Sequence, residues 1–386
     1  MKVLHVITRF IRGGADENTL LSCNAQAAAG HQVMLIHGRD VSPHLLAQLH
    51  PEVRVEAAPN LVREIHPVRD VKALFELKRI THRFAPDIVH THTSKAGILG
   101  RLAAWMDGRR GVVHGVHILP FLNVNPLAGA VYLALEHALA PITAAFVNVS
   151  GGMRAACEQA RLGLGKHHVV PSGMDVVRFG SARPFSLREL SEELEGRSSE
   201  QLVVMAAALE PRKRIWEFLA VFAEVAVACP NAHFVVLGEG HDRNRLETRV
   251  RELGLERRVT LLGFRTDPER WMKTAQVCVL SSEREGLPRV LVQYALCGVP
   301  IVTTALPGVE DVIQHGVTGV LTPIDNVSAM AEPVISLLCD PEKSKRFREA
   351  TSALDLSAWS VASMVGRLDD IYDAVLTRGV DAKGLA

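Results

Sequence analysis

Short apolar runs, each followed by a polar loop and a stretch of helical periodicity, recur along the whole chain. They occupy residues 3–7, 33–36, 53–55, 88–90, 112–113, 145–149 and 168–170 in the first half, and residues 202–208, 234–237, 259–262 and 277–280 in the second. Runs of this length are typical of buried strands. Strands that alternate with helices predict doubly wound α/β domains with parallel sheets, whose ligands bind beyond the carboxyl ends of the strands.

The length of the chain predicts two domains of similar size. A single hydrophobic core rarely grows beyond about 250–300 residues, and this chain has 386. Residues 181–200 are rich in Ser, Glu and Arg with little apolar periodicity, which favours a linker. Residues 359–376 read as an amphipathic helix.

Composition and charge argue against some classes of partner. The formal net charge is +1 and aromatic residues make up 5%, so we expect no nucleic-acid partner. Six scattered cysteines form no CxxC pair, the N-terminus lacks a signal peptide's apolar region, and no apolar run reaches about 18 residues. We therefore expect a cytoplasmic protein. The apolar segment 119–146 indicates either core packing or a peripheral membrane contact.

Residues 281–300 read as a polar loop followed by a short helix. Pro288 suits the first turn of that helix, and Gly298 suits its carboxyl end. Free N–H groups at such a helix start favour a phosphate. Glu285 in the loop can accept hydrogen bonds from hydroxyls, and Gln293 within the helix can reach another part of the same ligand. An ordinary strand–loop–helix unit without a ligand is the alternative.

Three polar features follow strands in the first half. Gly13 and Gly14 form a turn that lets the backbone approach a phosphate, but residues 13–18 do not supply the G-x-G-x-x-G pattern of a dinucleotide-binding domain. Lys95 can meet an anionic ligand or lie solvated on its helix. Four histidines can bind a metal or pack with hydrogen bonds, but no carboxylate or cysteine completes a ligand set at a familiar spacing. They are His90, His92, His114 and His117.

Taken in order, these motifs resemble the retaining glycosyltransferases of family 4, which have the GT-B fold. The residues of the 281–300 stretch that match the family pattern are Glu285, Gly286, Pro288, Ala295, Gly298 and Pro300. Gln293 departs from it, because the family carries a second Glu at that position. Lys213 matches the family's lysine, whereas Ala208 stands where an arginine is usual. Arg212 or Arg214 can supply the missing charge from a neighbouring position.

The first half carries the same resemblance. Residues 86–101 are similar to a segment of family members that build bacterial surface polysaccharides, and residues 112–121 resemble the strand end that carries His117. The family implies two Rossmann-like domains that face each other across a cleft. The implied ranges are an acceptor-side domain over residues 1–178, a nucleotide-sugar-binding domain over residues 179–357, and a helix over residues 358–386 that crosses back to the first domain.

The resemblance also implies the chemistry. A sugar would move from a nucleotide sugar, expected to be a UDP-sugar, to a glycan or lipid-linked acceptor in polysaccharide biosynthesis, with retention of configuration and without a metal or a cofactor. Lys213, Glu285 and His117 would be catalytic, and Lys95 would lie on the acceptor side. The donor would contact Gly13, Gly14, Arg212, Gly238, Phe264, Arg265, Gly286, Leu287, Pro288 and Gln293.

Two alternatives stay open at this point. Ala208 and Gln293 favour a protein that keeps the fold and binds a nucleotide sugar but has lost turnover. A GT-B enzyme of another reaction type, such as a nucleotide-sugar epimerase, is the other.

Overall fold

The computed structural model describes residues 1–11, 13–117, 119, 126–196, 201–286 and 288–381. The chain divides into two compact units. Unit 1 comprises Met1–Met174 and Ser357–Ala386, and unit 2 comprises Asp175–Leu356.

Unit 1 is built on a parallel sheet of seven strands. In chain order these are β1 (Lys2–Ile7), β2 (Gln32–His37), β3 (Arg54–Ala57), β4 (Ile88–His92), β5 (Val112–Val116), β6 (Ala145–Asn148) and β7 (His167–Val169). The order across the sheet is β3-β2-β1-β4-β5-β6-β7. The direction of strand addition therefore reverses between β1 and β4, which is where doubly wound sheets bind ligands.

Helices cover both faces of this sheet. They are α1 (Gly14–Ala28), α2 (Pro43–Leu46), α3 (Pro67–Phe84), α4 (Ser94–Met106), α5 (Pro126–Leu139), α6 (Gly151–Gln159) and, from the end of the chain, α15 (Val361–Asp381). Apolar residues of α3 and α4 pack on the face that carries Leu4 and Val6. Residues of α1 and α15 pack on the opposite face, against Val3 and Ile88. The two faces follow from the period of two along each strand.

Unit 2 has a parallel sheet of six strands. They are β8 (Gln201–Ala206), β9 (Ala232–Leu237), β10 (Val259–Gly263), β11 (Val277–Leu280), β12 (Ile301–Thr304) and β13 (Gly319–Thr322), in the order β10-β9-β8-β11-β12-β13 across the sheet. Its helices are α7 (Val176–Gly180), α8 (Leu187–Glu193), α9 (Ile215–Ala228), α10 (Arg243–Glu252), α11 (Pro268–Thr274), α12 (Arg289–Leu296), α13 (Ala331–Cys339) and α14 (Pro341–Ser352). The prediction of parallel, doubly wound sheets is confirmed in both units.

The segment predicted as a linker is instead part of unit 2. Leu190 of α8 and the following Leu194 are buried, and Phe185 packs against Trp271 with ring centroids 4.8 Å apart. Glu189 accepts a hydrogen bond from Arg270 at 2.8 Å. The linker prediction failed because three apolar residues of this charged segment, Phe185, Leu190 and Leu194, are buried in unit 2.

The boundaries of α12 were predicted nearly correctly. Its N-cap is Pro288, so the helix begins one residue later than expected. At the other end Gly298 has a φ of 66°, and Val299 N donates to Tyr294 O, which closes the turn in the way a C-terminal glycine allows. Among the described residues, no helix combines the length and the apolar character needed to cross a bilayer.

Candidate active site

The strand order of unit 2 reverses between β8 and β11, and the backbones of these two strands separate there. They pair only at Val277 with Val203 and at Cys278 with Val204. Both pairs lie two or more residues before the carboxyl ends of the strands. The loops that follow β8 and β11 therefore border a crevice at the switch point, the usual place for a ligand in such a sheet.

Tyr294 of α12 joins the two strands where their own pairing has ended. Its hydroxyl accepts a hydrogen bond from Ala206 N at 2.8 Å and donates one to Val279 O at 3.3 Å. Burial raises the pKa of this hydroxyl well above its ordinary value, so it stays protonated and keeps both bonds. Sequence reasoning missed Tyr294; a lone tyrosine in an otherwise apolar part of the helix was the available signal.

The two loops meet in an ion network centred on Glu285. One carboxylate oxygen, Oε1, accepts from Lys213 Nζ and from Ser282 Oγ, the latter at 3.0 Å. The other, Oε2, accepts from Arg212 Nη1 at 2.9 Å. The side chains of Lys213 and Glu285 are each 11% exposed, whereas that of Arg212 is 35% exposed. The structure therefore brings together three of the residues that the sequence singled out.

Backbone and hydroxyl contacts fix these loops against each other. Lys213 lies in a 3-10 turn, Pro211–Lys213, whose carbonyl groups accept from the loop after β11. Glu283 N donates to Arg212 O at 2.8 Å, and Ser281 Oγ donates to Lys213 O at 2.7 Å. The network is therefore held on rigid strand ends, which keeps its charges in place before a ligand arrives.

The electrostatics of the network keep Glu285 ionised. Burial alone would raise the pKa of this carboxyl, but the charges of Lys213 and Arg212 outweigh burial and hold the pKa below its ordinary value. Arg212 also donates from Nε to Glu210 at 2.8 Å. An ammonium group offers three N–H donors and a guanidinium five, so both cations retain donors for an anion.

Arg214 and Arg265 lie in other networks. The Arg214 guanidinium donates to Ile324 O and, at 2.7 Å, to Glu217. Arg265, predicted as a donor contact, forms ion pairs with Glu193 at 3.1 Å and Asp267 at 2.8 Å. The charges of Arg214 and Arg265 are therefore compensated by groups other than Glu285.

Two more residues that were predicted to contact the donor, Gly238 and Phe264, lie at the ends of β9 and β10. Gly238 follows β9 with a φ of 140°, and a Cβ there would lie 2.0 Å from Ala207 O, so only glycine lets the two loops approach this closely. Its N–H donates to Gly263 O at 2.7 Å. Phe264 follows β10 with 48% of its surface exposed.

The start of α12 follows Glu285 closely in the chain, since the helix begins at Arg289. Gly286 is half-buried, Leu287 lies outside the described residues, and Pro288 is a buried N-cap whose side chain gives the helix no capping hydrogen bond. Helix N–H groups in such a position favour an anion. Gln293 is half-buried on the same helix, five residues beyond the cap.

In unit 1, the switch point between β1 and β4 holds the remaining glycine and lysine candidates. Gly13 is the exposed N-cap of α1 and Gly14 its first residue, but Asp16 and Glu17 in the first turn offset the positive end of this helix. Lys95, expected on the acceptor side, donates to Glu64 O and, at 2.7 Å, to Asp70. Its charge is therefore already compensated within unit 1.

The histidines of unit 1 form a hydrogen-bonded cluster that includes a residue the sequence reasoning missed. His5 of β1 lies beside His90 in the sheet, and its Nδ1 is 2.9 Å from His92 Nε2. Nitrogens of His5, His90 and His92 lie within 4.8 Å of one another, close enough to be considered for a metal. His92 Nδ1 is in turn 3.0 Å from His117 Nε2. Because the nitrogens of neighbouring rings point at each other at hydrogen-bond distance, the arrangement is a chain of hydrogen bonds. A single histidine inside the apolar strand β1 was the available signal for His5.

Two family models match the chain. Residues 12–178 match Glycosyltransferase Family 4, and residues 188–353 match the glycosyl transferases group 1. A relative in Escherichia coli, UDP-Gal:alpha-D-GlcNAc-diphosphoundecaprenol alpha-1,3-galactosyltransferase, is 27% identical over 315 residues, which cover 79% of this chain and 80% of that protein. The putative glycosyltransferase EpsD of Bacillus subtilis is also 27% identical, over 80% of this chain and 82% of its own.

Solved structures share the fold over nearly the whole chain. Anabaena HepE in complex with UDP-glucose superimposes with a TM-score of 0.80 at 22% identity, covering 97% of this chain and 100% of that one. Sucrose-phosphate synthase from Thermosynechococcus elongatus gives a TM-score of 0.82 at 19% identity, covering 98% and 100%.

Proposed function

The chain belongs to the glycosyltransferases of the GT-B fold that join a Family 4 domain to a group 1 domain, and on that premise we propose its reaction. It moves a sugar from a UDP-sugar to a glycan or lipid-linked acceptor in the assembly of a bacterial polysaccharide. The name of the E. coli relative, with its UDP-Gal donor and its diphosphoundecaprenol acceptor, supports this proposal, as do the UDP and UDP-glucose complexes of HepE.

The observation that carries the proposal is the convergence of Lys213 and Arg212 on Glu285 at the switch point of unit 2. A sugar diphosphate in this crevice meets two cations that the fold already holds in place. As the bond between sugar and diphosphate breaks, negative charge grows on the departing UDP. Fixed cations at that position stabilise the transition state more than the ground state, which is commonly the largest part of catalysis.

Arg212 takes over the role of the arginine that the family carries at the position of Ala208. Of the two neighbouring arginines, Arg212 shares the Glu285 carboxylate with Lys213, whereas Arg214 is bound to Ile324 O and Glu217. The more exposed guanidinium of Arg212 also has donors left for phosphate oxygens. The positive charge at the leaving group is thereby restored from a position four residues along the chain.

The remaining donor contacts follow from the same crevice. Glu285 is ionised and accepts hydrogen bonds from sugar hydroxyls, and the N–H groups at the start of α12 receive phosphate oxygens. Phe264 stacks on the base, and Gln293 binds the ribose. A contact of His117 with the transferred sugar is supported by the resemblance of residues 112–121 to the family. Because Lys213 and Arg212 supply the positive charge at the diphosphate, transfer proceeds without a metal. The resemblance of residues 281–300 to the retaining family 4 enzymes supports retention of configuration.

Thermal unfolding in the presence of UDP-, GDP- and TDP-sugars tests the donor. A ligand that binds the folded state raises the midpoint by mass action. We expect UDP-sugars to raise it and the other two classes to raise it less. The nucleotide sugar that raises the midpoint is then incubated with a lipid-linked glycan acceptor in EDTA, and the linkage of the product is determined by NMR. Lack of stabilisation by every sugar nucleotide would refute the proposal, and transfer that stops in EDTA would refute its metal independence.

A membrane-bound acceptor is supported by exposed apolar residues in one helix layer of unit 1. Leu127, Val131 and Leu135 lie one turn apart on α5 and are 80%, 54% and 40% exposed. Their exposure favours a peripheral contact, one of the two possibilities that the sequence left open for this segment. On α3 the exposed stripe Val68, Val71 and Phe75 is accompanied by the exposed Lys72 and Arg79. Apolar stripes beside basic side chains suit an anionic lipid surface.

Vesicle sedimentation tests the membrane contact. Full-length protein should sediment with vesicles of anionic lipid, and a variant with Leu127, Val131 and Leu135 all changed to Gln should sediment less. Val227→Gln is the matched control, because Val227 is 83% exposed on α9 of unit 2. Equal sedimentation of all three proteins would contradict a contact between α5 and the membrane.

A second candidate function is motivated by Ala208 and Gln293, which replace two charged residues of the family pattern. It is a nucleotide-sugar-binding protein with impaired turnover. Donor binding without transfer or hydrolysis across a panel of acceptors would favour it. Restoring both charges with Ala208→Arg and Gln293→Glu then separates the two readings: a large gain in rate indicates an impaired site, and a loss indicates a specialised one.

A further inference from the structure

A continuous chain of hydrogen bonds links a buried glutamine in α1 to His117. Gln26 Oε1 is 2.8 Å from His5 Nε2, His5 Nδ1 is 2.9 Å from His92 Nε2, and His92 Nδ1 is 3.0 Å from His117 Nε2. Gln26 and His5 are fully buried, and His92 is 1% exposed. Each link is at normal hydrogen-bond length, so each ring nitrogen in the chain either donates or accepts.

The fold brings these four residues together from elements distant in sequence. His5 shares the sheet face of Val3, which packs against α1 and α15. His92 ends β4 on the same face, and His117 follows β5. Between them lies Gly115, where a Cβ would come within 3.1 Å of His92 Nδ1 and 3.2 Å of His117 Nε2. The missing side chain therefore leaves the space through which the two rings reach each other.

The chain has a direction, and Gln26 sets it. An amide oxygen only accepts, so the proton of His5 lies on Nε2 and its Nδ1 accepts from His92 Nε2. A neutral imidazole carries one proton, so His92 Nδ1 accepts in turn from His117 Nε2. His5 and His92 are neutral because burial lowers the pKa of His5 to about 4 and that of His92 well below its ordinary value, the latter with help from neighbouring histidines.

The hydroxyl of Tyr372 on α15 contacts the other end of the Gln26 amide. It is 3.5 Å from Gln26 Nε2 and 2.6 Å from His90 Nδ1, and with this amide orientation it accepts from Gln26 Nε2 and can donate to His90. Turning the amide over would reverse every bond in the chain and move the His117 proton to Nδ1.

We propose that Gln26 is a positioning residue that acts through His5 and His92 to fix His117 with its proton on Nε2 and its lone pair on Nδ1. In this form His117 Nδ1 carries no proton, so it cannot donate a hydrogen bond to the transferred sugar. This consequence for the substrate rests on the proposed function, in which His117 contacts that sugar. The assignment of the His117 tautomer does not rest on the proposed function.

The test is the protonation state of His117 in full-length protein with 15N-labelled histidine. Imidazole 15N shifts distinguish the two tautomers, and His117→Asn assigns the signals. We expect Nε2–H in the native protein and in Gln26→Glu, since a carboxylate also accepts from His5. Gln26→Met has a similar size and no acceptor oxygen, and it should show a mixture of tautomers. Gln32→Met, at an exposed position, is the matched control.

Transfer kinetics add a second readout. Gln26→Met should lower kcat/KM by about five- to tenfold, the size of one lost hydrogen bond, and Gln26→Glu should restore most of it. A native His117 protonated on Nδ1, or an unchanged His117 in a folded Gln26→Met, would overturn the proposal. If Gln26→Met fails to fold, Tyr372→Phe removes the hydrogen-bond partner of Gln26 Nε2 and should give the same mixture of tautomers. Because the spectra need no nucleotide sugar, a failed glycosyl transfer leaves this test intact.

Discussion

At the scale of single residues, Arg212 and Arg214 show how little sequence position says about role. They lie two residues apart, but one guanidinium meets Glu285 beside Lys213 and the other meets Glu217 and Ile324 O. The sequence located the charges and left open which of them compensates for Ala208. The choice depends on the turn Pro211–Lys213 and on the left-handed conformation of Arg214, with a φ of 53°.

We predict that Arg212→Ala weakens UDP binding by about ten- to hundredfold, because a charge-assisted contact to phosphate contributes roughly 1.5–3 kcal/mol. Arg214→Gly is the matched control. It removes the guanidinium at a φ that glycine adopts readily, and it should leave the Kd for UDP within about twofold of the native value. Isothermal titration measures both. Equal losses for the two variants would contradict the assignment.

At the scale of elements, the motifs predicted strand ends and loops correctly, but not the contacts between them. Glu285 was placed in the loop after the apolar run 277–280, and Lys213 was identified from the resemblance to family 4. His5 was missed because its partners lie on β4 and α1, and Gln26 because its partners lie on β1 and α15; only the folded sheet and its helices bring these together. The linker prediction failed for a similar reason, since burial of Leu190 and Leu194 depends on the partner surface of unit 2.

The close approach of the loops after β8 and β9 depends directly on Gly238. We predict that Gly238→Ala lowers the free energy of unfolding of unit 2 by at least about 2 kcal/mol, because it adds a clash with Ala207 O to an unfavourable φ. Gly180→Ala, where nothing lies within 4 Å of the added Cβ, should change it by less than about 1 kcal/mol. Urea unfolding compares the two variants, and similar values would count against the close approach of these loops.

At the scale of the whole molecule, the sequence predicted two doubly wound units and the class of enzyme, but not how unit 1 would respond to acid. Burial lowers the pKa of five of its histidines below the ordinary value; these are His5, His90, His92, His114 and His167. Unfolded histidine binds protons below pH about 6.5. The folded rings do not bind them until lower pH, so the unfolded chain gains more protons and stability falls as the pH drops below about 6.5.

We therefore predict that unit 1 loses stability between pH 7 and pH 5.5, with a limit of about 1.4 kcal/mol per histidine for each pH unit below 6.5. Urea unfolding followed by fluorescence should show it, since Trp359 is 5% exposed in unit 1. In the double variant His90→Gln and His92→Gln the dependence on pH should flatten. A native protein whose stability is level across this range would show that the rings are not held neutral.

The central claim is that Lys213 and Arg212 bind the diphosphate of a uridine nucleotide at the switch point of unit 2. Titration calorimetry of UDP and of uridine against the native protein and Lys213→Met tests it most directly, because the two ligands differ only in the diphosphate. We predict that Lys213→Met weakens UDP binding by at least tenfold and leaves uridine binding unchanged. Native affinity of Lys213→Met for UDP would contradict the claim.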